Sequence, residues 1–153
     1  QEKNNPHAIL LTRQKLPHIK MSPEEIKKGV NKGAYIVKNE KNPDAIIFSS
    51  GSELHLALEV ANMIDKKIIV INVPCWEIFE KQNYDYKDSI LINDCKKRIS
   101  IEAGSKQGWE RFTGRHGLNI GIDSFGYSAP GNDVAKKLGF TAEKIKKQIE
   151  DYL

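Results

Sequence analysis

The tightest constraint on what this chain can fold into lies between Asp44 and Pro74. Ala45-Ile46-Ile47-Phe48 is an apolar run of strand length that breaks at Ser49-Ser50-Gly51-Ser52. From Glu53 to Asp65 the apolar residues Leu54, Ala57, Leu58, Ala61 and Ile64 recur at helical spacing, and Leu56, Val60 and Met63 widen the stripe. Lys67 to Val73 then supplies a second apolar run. Strands apolar on both faces cannot border water, so this unit predicts a parallel pair inside a sheet covered on both sides, joined by a right-handed helical crossover.

The small-residue turn before the helix raises a functional question. A helix start gathers unpaired backbone N–H groups and the positive end of the dipole, which suits phosphate. Ser49-Ser50-Gly51-Ser52 lacks the lysine of a P-loop and the spacing of Gly-x-Gly-x-x-Gly. The plainer expectation is that Ser50 or Ser52 caps the helix while Gly51 makes the turn.

At 153 residues the chain is sized for one domain with a full core. No apolar run approaches the roughly 20 residues that cross a bilayer, so no membrane span is expected. Lysine and arginine number 24 against 20 acidic residues, but they are spread without interleaved aromatics, so no nucleic-acid groove is indicated. Cys75 and Cys95 are too far apart for a Cys-x-x-Cys pair and have no histidine cluster beside them, which predicts reduced thiols in a cytoplasmic protein. The start, Gln1 to His7, has neither an initiator methionine nor an apolar leader and reads as cut from something longer.

Around the central unit, Ala8 to Leu11 predicts a strand ending at Thr12-Arg13-Gln14, and Leu16 to Lys20 an extended connector. Ser22-Pro23-Glu24-Glu25 combines an N-cap, a first-turn proline and a capping-box glutamate, predicting a helix that stops near Gly29. Gly33 to Val37 reads as a strand, and the short polar turn Lys38 to Pro43 predicts that it pairs antiparallel with Ala45 to Phe48 at a sheet edge. Short helices are expected over Pro74–Lys81, with Ile78 and Phe79 inward and Trp76 packed, and over Asp85–Leu91. A strand over Arg98–Glu102, a helix from near Lys106, and a strand over Leu118–Ile122 follow. Helices then span Asn132–Leu138, closed by Gly139, and the stretch after Thr141, with Ile145, Ile149 and Tyr152 on one face. The fold class is α/β: a three-layer open mixed sheet of about five strands, mostly parallel with one antiparallel edge strand, helices on both faces.

Few residues point to chemistry. There is no Gly-x-Ser-x-Gly elbow, no set of three or four convergent metal ligands, and the His55/Glu59 pair, one turn apart, reads as solvated. Glu102 and Asp123 follow strands at their C-terminal ends, where open α/β sheets place ligands. They are expected to fix their own loops by accepting backbone N–H bonds, with ligand contact as the alternative. Arg13, beside Gln14, offers a planar fork of donors matched to phosphate or carboxylate, and on spacing alone it serves equally as a surface ion pair.

Taken together, the motifs resemble the carboxy-terminal part of transketolases. The resemblance runs through Leu11-Thr12-Arg13-Gln14-Lys15-Leu16-Pro17, Gly33-Ala34-Tyr35-Ile36-Val37 and Ser50-Gly51-Ser52-Glu53. It continues through Ser100-Ile101-Glu102-Ala103-Gly104, Gly108-Trp109 and Gly121-Ile122-Asp123-Ser124-Phe125-Gly126-Tyr127-Ser128-Ala129-Pro130. Such enzymes transfer two-carbon ketol units between sugar phosphates in the pentose phosphate pathway. The resemblance implies thiamine diphosphate and a divalent metal, Mg or Ca, bound between two preceding domains of a homodimer. It implies no cofactor, metal or catalytic residue in this chain, which alone would be inactive. Residues 1–20 would be the end of the middle domain and a linker, and residues 21–153 the third domain, which supports the dimer. Arg13 matches the arginine that grips the substrate's phosphate. Lys15 stands where the family commonly has asparagine, and Cys75-Trp76 where small polar residues are usual. The implied partners are the remaining domains, a second copy and sugar phosphates, with no nucleic acid and no membrane. The alternatives are a regulatory module binding a small anion or nucleotide at the Gly51-Ser52 helix start with Glu102, and a purely structural dimerisation domain.

Overall fold

The structure is a computed structural model that describes Pro6 and residues 8–153. In chain order its elements are α1 (Pro23–Lys32), β1 (Tyr35–Lys38), β2 (Ala45–Ser49), α2 (Glu53–Met63), β3 (Ile68–Asn72), α3 (Trp76–Glu80) and α4 (Tyr84–Leu91). Then come β4 (Arg98–Ile101), α5 (Glu110–Thr113), β5 (Leu118–Ile120), α6 (Gly131–Leu138) and α7 (Ala142–Tyr152). The strands form one five-stranded sheet in the order β1-β3-β2-β4-β5. Only β1 runs antiparallel to its neighbour.

The alternation of side chains along β2 builds two cores. Ala45 and Ile47 face α2 and α7, where Ala57, Val60, Ile145 and Ile149 close over them. Ile46 and Phe48 face the other way, against Phe79, Ile90 and Phe112 from α3, α4 and α5 and against Trp109 just before α5. This is the three-layer mixed sheet that the apolar runs predict, with the antiparallel strand at an edge.

Several boundaries differ from expectation. Ser22 and Glu25 form the capping box, with the Glu25 N–H donating to Ser22 Oγ at 3.2 Å and the Ser22 N–H to the Glu25 carboxylate at 2.9 Å. The helix then passes through Gly29 and ends at Gly33, which is left-handed at φ 82°. Gly29 is interior because the Tyr35 ring lies on it: a Cβ there would fall 2.3 Å from Tyr35 Cγ. It marks a packing contact, where a helix stop was expected.

Strand β1 pairs with β3, not with β2. Both edges of β2 are taken by β3 and β4, so the chain carries β1 past β3 to the free outer edge. There Asn72 Nδ2 donates to the Tyr35 hydroxyl at 2.9 Å, and Lys38 Nζ to the Ile68 carbonyl at 3.1 Å.

Ala8 to Leu11 forms no strand and no other regular element, and Ile9, Leu10 and Leu11 are 82%, 90% and 84% exposed. An apolar run becomes a strand only against a partner ladder, and no strand of this sheet pairs with it. His7 and Gln1 to Asn5 lie outside the described residues. The helix expected from Lys106 is the single turn α5, preceded by a turn through Gly108 at φ 89°. Phe79 is buried but Ile78 only partly so.

Arg98 ties the second layer together. Its guanidinium donates to the carbonyls of Leu91 at 2.7 Å, Cys95 at 3.1 Å and Phe112 at 3.1 Å, and burial lowers its pKa.

Two of the left-handed glycines, Gly33 and Gly51, separate backbone strain from packing. At Gly33 a Cβ would meet Cys75 O and Phe79 N, both at 2.4 Å, whereas at Gly51, φ 56°, nothing lies within 4 Å. Gly33→Ala is expected to cost about 3 kcal/mol and Gly51→Ala only about 1 kcal/mol, read from urea midpoints at constant slope. Equal losses would show that the Gly33 contact with α3 contributes nothing.

Candidate functional site

In an open α/β sheet, ligands bind where neighbouring strands send the chain to opposite faces. Here that point lies between β2 and β4, which lead respectively to α2 on one face and α5 on the other. A hydrogen bond from Ser50 Oγ to Glu102 Oε2, 3.1 Å long, spans it. Beneath, Ser49 Oγ donates to the Ile101 carbonyl at 2.8 Å.

Neither serine caps α2. Ser52 already has helical angles, φ −66° and ψ −31°, and its hydroxyl donates to Glu53 Oε1 at 2.8 Å. Both hydroxyls are thus spent on carboxylates. Burial raises the pKa of Glu102, the Ser50 hydrogen bond opposes that rise, and the negative charge of Glu53 adds to it. Two carboxylates at the start of α2 repel an anion where the dipole alone would attract one. The arrangement therefore disfavours a phosphate or nucleotide here. It also does not fit the diphosphate of thiamine diphosphate, and among the described residues no three His, Cys, Asp or Glu side chains converge to hold its metal.

Asp123 behaves as its loop position predicts. Its Oδ1 accepts from the Lys106 N–H at 3.2 Å and its Oδ2 pairs with Lys106 Nζ at 2.6 Å, which holds the carboxyl below the usual range. The Ile122 N–H donates to the Gly104 carbonyl at 2.8 Å. Gly121 permits that approach, since a Cβ would sit 2.7 Å from Gly104 O. Glu102 differs, taking a hydroxyl where backbone N–H bonds were expected. Nothing local in the sequence links Lys106 to Asp123, 17 residues apart.

Arg13 lies on the exposed segment ahead of α1, and among the described residues no hydrogen bond or ion pair engages its guanidinium. The Gln14 N–H donates to Thr12 Oγ1 at 3.2 Å, and Gln14 Nε2 lies 3.9 Å from where a Cβ of Gly131 would be. The start of α6 is therefore the neighbour of this segment, a proximity no sequence signal reveals. No hydrogen bond joins Arg13 to Glu102, and His55 and Glu59 make none with each other.

A cleft of about 420 Å³ lies at the opposite ends of the strands, lined by Asn39, Asn42, Asp94 and Cys95 among others, and holds none of Arg13, Ser50, Glu102 and Asp123. Both cysteines are free, and burial raises the Cys95 pKa. Trp76 packs edge-on against Trp109, centroids 5.1 Å apart, so the unusual Cys75-Trp76 pair extends the aromatic core.

The raised pKa of Glu102 carries a sign. Such a group contributes stability below its unfolded pKa and loses it as pH rises through the folded value. Glu102→Gln keeps an acceptor for Ser50 and removes the charge, so its stability relative to the parent should rise from pH 4 to pH 8 in urea titrations. A difference independent of pH would refute buried ionisation at Glu102.

The family described as transketolase-like TK C-terminal domain matches residues 33–141. Transketolase of Staphylococcus epidermidis is 44% identical over 153 residues, covering 97% of this chain and 23% of that protein. Transketolase from Leishmania mexicana superposes with a TM-score of 0.75 at 31% identity, over 82% of this chain and 18% of that one. A Pichia stipitis transketolase in complex with sedoheptulose-7-phosphate gives 0.80 at 27% identity, over 92% of this chain and 20% of that one. The chain thus spans about a quarter of the length of the curated relatives it matches. It belongs to the transketolase-like C-terminal domain family.

Proposed function

We propose that this chain is the C-terminal portion of a transketolase, a transferase of two-carbon ketol units between phosphorylated sugars, and that Arg13 binds the substrate's phosphate. The free guanidinium of Arg13 carries the reading: it is exposed and unpaired among the described residues, in the Thr-Arg-Gln-Lys-Leu-Pro stretch. A guanidinium places two parallel N–H donors on a phosphate and converts remote binding energy into orientation at the reacting carbon. A relative solved with sedoheptulose-7-phosphate supports phosphorylated sugars as the substrate class.

In this reading residues 1–20 complete the preceding domain and the linker, and residues 21–153 form the C-terminal domain. The unpaired apolar run Ile9-Leu10-Leu11 supports that division, because a strand that lacks neighbours here would find them in the preceding domain's sheet. Thiamine diphosphate, which supplies the carbanion chemistry, and its divalent metal then belong to the preceding domains of a cytoplasmic homodimer. The isolated chain has no ketol transfer of its own.

In the full-length enzyme, Arg13→Ala should raise KM for phosphorylated acceptors by roughly ten- to a hundredfold, the value of a charge-assisted bidentate contact, with unphosphorylated acceptors nearly unchanged. Equal losses on both substrate types would sink the clamp.

A further inference from the structure

Where α3, α4 and α5 meet, a cavity of about 150 Å³ opens beside the aromatic core. Phe79 and Phe112, with ring centroids 5.9 Å apart, and Leu91 give it an apolar wall, while Glu80, Lys87 and Arg111 are its charged groups. A cavity on the order of 150 Å³ takes up one benzene molecule, so the space suits a single ring and is too small for a nucleotide. The protein does not balance the positive charge gathered here. Lys87 is half-buried, yet among the described residues its ammonium makes no hydrogen bond or ion pair and meets only the Tyr84 ring, 5.6 Å from its centroid. Arg111 is held in place: its Nη1 pairs with Glu80, its Nε donates to the Gly108 carbonyl at 3.1 Å, and its guanidinium carbon lies 4.7 Å from the Trp76 ring centroid. Its Nη2 has no hydrogen bond among the described residues. The Arg98 guanidinium binds the carbonyls of Leu91 and Phe112, two of the lining residues, and pairs with no carboxylate among the described residues. Glu80 alone among the lining residues is acidic; Glu77, within electrostatic reach of Arg111, does not line the cavity. Cations withdrawn from water without a counter-charge favour an anion beside them.

We propose that this cavity binds a small monocarboxylate with a one-ring apolar body, its ring against Phe79, Phe112 and Leu91 and its carboxylate between Lys87 and Arg111. A carboxylate matches the open edge of a guanidinium that Trp76 and Gly108 already orient, so little freedom is lost on binding. A small cation would meet three positive charges. Inorganic phosphate would answer the charge and leave the apolar wall uncovered, and a neutral ring would cover the wall and leave Lys87 unpaired. One ring bearing one negative charge answers both. Neither Arg13 nor Glu102 lines the cavity, and the assignment does not depend on ketol transfer.

Benzoate is the probe, titrated against the full-length protein by saturation-transfer difference NMR, with benzyl alcohol and inorganic phosphate as the neutral and the ring-free comparison. Saturable benzoate binding with a millimolar Kd is expected, each comparison compound binding at least about fivefold more weakly. Lys87→Gln should weaken benzoate by at least about fivefold, and Lys87→Arg, which keeps the charge, should restore it to within about twofold. Glu80→Gln removes the one lining carboxylate and releases a guanidinium N–H, so it should tighten benzoate binding, an effect that loosening of the fold cannot produce. If Lys87→Gln lowers the melting temperature, Glu80→Gln decides alone: tighter binding supports the site and unchanged or weaker binding overturns it. The assignment is also overturned by the absence of saturable binding into the tens of millimolar, or by benzyl alcohol or phosphate binding as well as benzoate. Benzoate affinity unmoved by Lys87→Gln overturns it too, since the probe would then sit elsewhere on the protein.

Discussion

Everything in this fold depends on the burial of β2. Ala45, Ile46, Ile47 and Phe48 are fully enclosed, alternately in the two cores, and both edges of the strand are hydrogen-bonded. Burying each large side chain is worth about 1.5–3 kcal/mol, so this strand, with β3 beside it, helps hold both helical layers to the sheet. Its position also fixes where polar groups can emerge. The chain leaves β2 and the neighbouring β4 at the same end toward opposite faces, and that end is where Ser50, Glu53 and Glu102 are brought together.

The chemistry at that end is that of a closed polar seam. Two serine hydroxyls donate to two carboxylates, and Lys106 with Asp123 laces the adjoining loops. Negative charge occupies the start of α2, so the helix dipole is satisfied from within. Arg13, by contrast, is free among the described residues and lies on the exposed segment ahead of α1, next to Gln14, whose side chain approaches Gly131 of α6. The switch point is thus sealed by its own side chains, while Arg13 stays open on the segment ahead of α1.

Much of this was legible because the signals are local. Ser22, Pro23 and Glu25 fix the start of α1 through bonds made within one turn, and Gly139 closes α6 with its left-handed cap. The apolar runs of β2, β3 and β4 require burial whatever lies next to them. Gly29 misled because a glycine needed for ring packing looks identical in sequence to one that ends a helix. The pairing of β1 misled because a six-residue turn permits a hairpin but does not decide which edge is vacant. Ser52 failed as a cap because Glu53, one residue on, competes for its hydroxyl. Glu102 was singled out by its place after a strand, while its partner Ser50 is 52 residues away.

The sequence by itself determined the α/β class, the five strands of the sheet and most helix starts, since periodicity and capping act over a few residues. Only the tertiary structure decided the strand order, the carboxylates sealing the switch point, and the meeting of the Ile9–Gln14 segment with α6. Those depend on which edges and faces remain unoccupied once the core has formed, and no window of sequence contains that information.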